Sequence, residues 1–133
     1  MKKVSMLVLI SLSLFGCGEY SPSKHDVVNS HGTIKNLDLL EKFTEDVSNN
    51  KDSEVRIVNY TDEGDPVIHD LKYSDEKLSS KIDTRFDEFG DQGVIEDTCK
   101  SIKIIEKSDQ IIYQLRGCEI YKEGLPITII PND

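Results

Sequence analysis

The stretch TCKSIKIIEKSDQIIYQLRGCEI, Thr98 to Ile120, constrains this chain more than any other. Apolar and polar residues alternate along two arms around a polar Lys107–Gln110 loop, the pattern of a β-hairpin with one buried face. With the turn centred between Ser108 and Asp109, facing residues carry numbers that sum to 217. Ile102 then faces Leu115, Ile104 faces Tyr113 and Glu106 faces Ile111, which makes one largely apolar face. The other face pairs Ser101 with Arg116, Lys103 with Gln114 and Ile105 with Ile112. In the same register Cys99 meets Cys118, and a four-residue loop puts the two at a non-hydrogen-bonded pair, where facing side chains come closest. In oxidising surroundings a disulfide is expected there, worth roughly 3 kcal/mol in the chain-entropy view. Two reduced thiols are the alternative. A metal or redox pair is disfavoured, because neither C-x-x-C nor a nearby histidine cluster accompanies them.

Whether the surroundings oxidise depends on the start of the chain. Lys2 and Lys3 precede VSMLVLISLSLF, an uncharged run too short to cross a hydrocarbon core, which takes roughly 20 residues. A basic stretch, an apolar stretch and a small-residue site together read as a secretory signal peptide over residues 1–16. Leu14, Phe15, Gly16 and Cys17 resemble the lipobox of bacterial lipoproteins. That resemblance implies cleavage before Cys17, a diacylglycerol (palmitate-type acyl chains) on its sulfur, and a site on the extracytoplasmic face of the cell membrane. Two acyl chains suffice for stable anchoring. Cys99 and Cys118 are then left without an odd thiol. GEYSPSKH, which completes residues 17–25, reads as a flexible tether that reaches about 28 Å when extended.

The folded body is expected over residues 26–120, with 121–133 as a C-terminal tail. Leu37, Leu40, Phe43 or Thr44, and Val47 recur at helical spacing within Thr33–Lys51, with Asn36 as the candidate cap and Asn49 or Asn50 as the stop. Glu54–Tyr60 and Pro66–Tyr73 alternate with period two around the turn TDEGD, and Lys77–Phe86 pairs back through SDE. The expected fold class is α+β: one N-terminal helix packed on an antiparallel meander of about five strands.

Charge narrows the partners. Removing Lys2 and Lys3 from the 16 basic residues leaves 14 against 25 acidic ones, a net charge of −11 for the chain from Cys17. Such a surface repels phosphate backbones, so nucleic acid is not expected; a basic envelope protein or divalent cations are. In DVVNSHG, Asn29 and His31 could form a small polar site, although a turn leading into the helix explains the same letters. Asp62, Glu63 and Asp65 could hold a cation, yet the full ligand loop of an EF-hand is missing and a solvated turn with Gly64 at positive φ fits better. His69 and Asp70 alternate across a strand, so adjacency does not make them a dyad. No phosphate loop, H-E-x-x-H or G-x-S-x-G occurs, and no cofactor or metal is expected.

DVVNSHG before a helix, then VRIVNYTDEGDPVIHDLKY, then TCKSI with RGCE, resemble a family of small lipoproteins from Gram-positive bacilli classed only as a domain of unknown function. The resemblance extends over roughly residues 26–120 and implies that the EGDP turn and the paired cysteines belong to one recurring pattern, without an activity attached. The expected function is a membrane-anchored extracytoplasmic lipoprotein acting as a non-enzymatic binding or accessory module at the cell envelope. The rivals are a small envelope hydrolase or metal-dependent enzyme built from His31, His69 and the Asp62–Asp65 turn, and a purely structural surface protein.

Overall fold

The computed structural model describes residues 19–132, so the signal-peptide reading and the lipidation of Cys17 lie outside the described residues. The described chain forms β1 (Val27–Ser30), β2 (Thr33–Lys35), α1 (Leu37–Ser48), β3 (Ser53–Tyr60), β4 (Pro66–Ser74), β5 (Lys77–Asp83), β6 (Val94–Cys99), β7 (Ser101–Glu106), β8 (Gln110–Arg116) and β9 (Leu125–Pro131). They build a six-stranded sheet ordered β2-β1-β3-β4-β5-β6 and a three-stranded sheet ordered β7-β8-β9. The expected α+β class, one helix on a meander of about five strands, is corrected to a mainly β fold of two sheets with one short helix.

Three features of the chain explain the difference. The polar stretch before the helix is a hairpin, Val28 opposite Lys35 and Ser30 opposite Thr33. His31 (φ 52°) and Gly32 (φ 91°) make its two-residue turn, both positive as a type I′ turn requires. Strands of three or four residues carry too little alternation to be seen in sequence. Next, the arm read as one strand bends at Lys100: β6 pairs with β5, Leu78 opposite Cys99, and β7 leaves for the second sheet. Finally, the stretch expected as a tail contains β9, which pairs with β8. Pro126 and Pro131 lack the N–H that an inner strand must donate, and β9 tolerates them because it lies at a sheet edge.

The sequence register of β7 and β8 is the observed one, from Ser101 opposite Arg116 to Glu106 opposite Ile111. The Cys99–Cys118 disulfide is formed. Beside it, Glu119 N–H donates to Thr98 O at 3.0 Å and Lys100 N–H donates to Arg116 O at 2.9 Å, past Gly117. In α1, Leu40, Phe43 and Val47 are buried as their spacing predicts. Asn50 (φ 53°) ends the helix: Lys51 N–H bonds Asp46 O and Asn50 N–H bonds Val47 O, a Schellman motif. Asn36 does not cap the start through its side chain. Its amide donates instead to Asp26 O (2.8 Å) and Lys24 O (3.1 Å), tying the helix to the chain before β1.

One face of the large sheet, with Val27, Val55, Ile57, Leu71, Tyr73 and Leu78, packs against α1 residues Leu40 and Phe43 and against Tyr113, Leu115 and Ile127 of the small sheet. At the disulfide end the buried Asp97 carboxylate accepts N–H bonds from Thr98, Glu119, Ile120 and Tyr121. Burial raises its pKa, and these four backbone donors more than reverse that, leaving it below the usual carboxylate range. Asp97→Asn keeps the shape and halves the acceptor capacity, so it is expected to cost about 2 kcal/mol in denaturant unfolding.

Candidate functional site

Because β1 runs parallel to β3, the β1–β2 turn and the β3–β4 turn emerge at the same end of the large sheet. The residues singled out in sequence meet there, and most of them serve as joints. Asn29, buried, donates through Nδ2 to Thr128 Oγ1 (2.8 Å) and Ile129 O (3.0 Å) and accepts Gly32 N–H on Oδ1 (2.9 Å). Thr128 in turn donates to Asn59 Oδ1, and Asn59 Nδ2 donates to Ile127 O. This network fastens β9 across the interlayer to β1 and β3. Replacing Asn29 by Ala leaves the Gly32 amide and Thr128 without their partner, and a loss of about 2 kcal/mol is expected by thermal unfolding.

His31 sits at the tip of its turn and its Nε2 lies 2.9 Å from Thr61 O. Thr61 organises the next turn: its N–H donates to Asp65 O, its oxygen accepts Gly64 N–H, and Oγ1 accepts Asp65 N–H. Gly64 has φ 91°, the positive value its position called for. Asp62 and Glu63 are exposed, while Asp65 Oδ2 accepts Glu88 N–H at 2.9 Å. His69 does not join them. It points into the interlayer, 3% exposed, with Nε2 2.7 Å from Ser80 Oγ. Burial lowers its pKa to about 4, against a small opposing pull from Asp70. It stands four residues along the chain from Asp65, which precedes β4, about 13 Å at strand rise. The enzyme constellation of His31, His69 and Asp62–Asp65 is therefore not assembled.

Between these turns and the loop 84–93 lies a cleft of about 500 Å³ with walls from Tyr20, Tyr60, Pro66 and Phe86 and with Glu19, Asp65, Arg85 and Glu88 at its margins. Tyr20, expected in a flexible tether, is pinned: its hydroxyl donates to Asp26 Oδ2 (2.8 Å) and accepts from Arg56 (3.2 Å), and its ring meets Phe86 at 5.7 Å. Asp26 also accepts from Ser23 N–H and Oγ. Arg56 is held in two bonds to Asp70, at 2.6 and 2.8 Å. Arg85 is likewise taken up by Asp83. The margins thus present carboxylates whose nearest cation is already paired. Phe89 projects from the neighbouring loop, 74% exposed. The signal in the sequence is weak: Phe86 closes the alternating arm Lys77–Phe86, and Phe89 stands three residues on among the acids of DEFGDQG, Asp87 to Gly93.

The family model described as Domain of unknown function (DUF4362) matches residues 24–114. The chain belongs to this DUF4362 family. The match includes both turns, α1, Cys99 and the loop 84–93, and ends within β8. In this DUF4362 chain β9 and Cys118 lie beyond it, yet both are joined to matched residues, through Asn29 and Asn59 and through the disulfide. No curated protein and no solved structure matches the chain. No helix among the described residues is long and apolar enough to cross a membrane.

Proposed function

We propose that this DUF4362 protein is a membrane-anchored extracytoplasmic lipoprotein that acts as a non-enzymatic binding or accessory module at the cell envelope, as in small lipoproteins of Gram-positive bacteria. The observation that carries the reading is the run Leu14–Cys17 after a basic and then an apolar stretch. The disulfide supports it, because such a bond persists outside the reducing cytoplasm. The polar groups that a catalytic role would need are taken up in joints: Asn29 by β9, His69 by Ser80, and Asp97 by four N–H groups. Around the cleft of Tyr20, Tyr60 and Phe86 the surface is aromatic with Glu19, Asp65 and Glu88 at its margins, suited to binding. The test is crosslinking on intact cells with native protein and with Cys17→Ala. A defined partner recovered only with the anchored form is the expected result; turnover of an envelope substrate by the purified protein, with no reproducible partner, would overturn it.

A further inference from the structure

We infer that the cleft between the N-terminal segment and the loop 84–93 docks a cationic polypeptide segment that carries an apolar side chain. The inference deepens the binding-module reading and rests on it. The cleft has apolar walls, Tyr20, Tyr60, Pro66 and Phe86, and the 500 Å³ it encloses accommodates one or two side chains. Phe89, next in the chain to the lining Glu88, is 74% exposed. Phenylalanine is among the residues enriched at protein interfaces relative to the rest of the surface.

Charge complementarity selects the occupant. Glu19, Asp65 and Glu88 line the cleft, and Asp62 and Glu63 crown the adjoining turn. Among the described residues the one lining cation, Arg85, is bonded to Asp83 by both Nε and Nη2. A segment bearing Lys or Arg meets the carboxylates of Glu19, Asp65 and Glu88, whereas anionic headgroups and acidic chains are repelled. Position adds a constraint under the lipid-anchored reading. Tyr20 is pinned three residues after Cys17, so the cleft lies within about 11 Å of chain from the anchoring sulfur. The cationic segment it meets is therefore one held close to the bilayer surface.

The chain has no tryptophan, so Phe89→Trp supplies a single local reporter. Full-length protein carrying Phe89→Trp is reconstituted in phosphatidylcholine vesicles and titrated with a tryptophan-free peptide of alternating lysine and leucine, and with its glutamate counterpart. The lysine peptide should shift the emission to the blue with saturation, and the glutamate peptide should not. Glu88→Lys should weaken the lysine peptide about tenfold, while Glu45→Lys on α1, the same change in net charge, leaves it unchanged. An Ile120→Trp reporter at the disulfide end should stay silent. Equal weakening by Glu45→Lys would reduce the effect to net charge and overturn the site, as would an absent shift. Quenching of Phe89→Trp by brominated acyl chains before peptide is added would assign the ring to lipid instead. The mass of Cys17 and its acyl chains, measured on the same sample, separates failure of this site from failure of the anchored reading.

Discussion

Opening the Cys99–Cys118 bond, by reductant or by Cys99→Ser with Cys118→Ser, is expected to cost about 3 kcal/mol of stability. The bond sits where the chain leaves one sheet for the other. Cys99 ends β6 in the large sheet, Lys100 bends, and Cys118 follows β8 of the small sheet. Both cysteines are buried within the common core, beside Leu78 and Leu115. Without the cross-link the described contacts that hold the small sheet to the large one include the Asn29–Thr128–Asn59 network, the Asp97 bonds, the Glu119–Thr98 backbone bond and apolar packing. Denaturant unfolding at pH 7 with and without reductant measures the difference. An unchanged midpoint would mean that the interlayer packing already fixes the two sheets.

The second large effect is a loss of stability as the pH falls from about 6.5 to about 4. His69 has an unfolded pKa of 6.5, lowered to about 4 in the folded protein by burial. Between those values the unfolded chain binds a proton that the folded one excludes, so stability is full above about 6.5 and is lost as the pH falls through the window. The depression corresponds to about 3 kcal/mol. His69→Gln, which cannot titrate and can still reach Ser80, should flatten the stability profile across this window. Below about pH 4 a further loss is expected in both proteins, because Asp26, Asp46, Asp83 and Asp97 all have lowered pKa values whose stabilisation disappears on protonation. A wild-type profile that is flat from pH 6.5 to 4 would show that His69 is solvated in the native state.

What could be read before the structure was whatever repeats at short range. Alternation in Ile102–Glu106 and Ile111–Leu115 set the β7–β8 register residue by residue, because a slip by one would turn the buried Tyr113 and Leu115 away from the core; Ile104, on the same face, is nevertheless 44% exposed. The spacing of Leu40, Phe43 and Val47 located α1, and the two asparagines located its end. Features that depend on distant partners were not legible. Asp97 earns its place through N–H groups more than twenty residues away, at Glu119, Ile120 and Tyr121. Asn29 looks like a turn residue and acts as a bolt to β9, about a hundred residues on. β9 itself was hidden by its two prolines, which an edge position excuses. The cleft escaped notice for a related reason: Tyr20 and Phe86 are far apart in sequence and meet only because the N-terminal segment lies over the outer face of the sheet.

The anchored-module reading is tested most directly by mass spectrometry of the N-terminus of protein purified from the membrane fraction. The expected result is a chain that begins at Cys17 and carries a diacylglyceryl thioether. An intact leader with an unmodified Cys17 thiol, on protein recovered from the cytosol, would contradict the account, and with it the oxidising location in which the disulfide and the juxtamembrane cleft have their proposed roles.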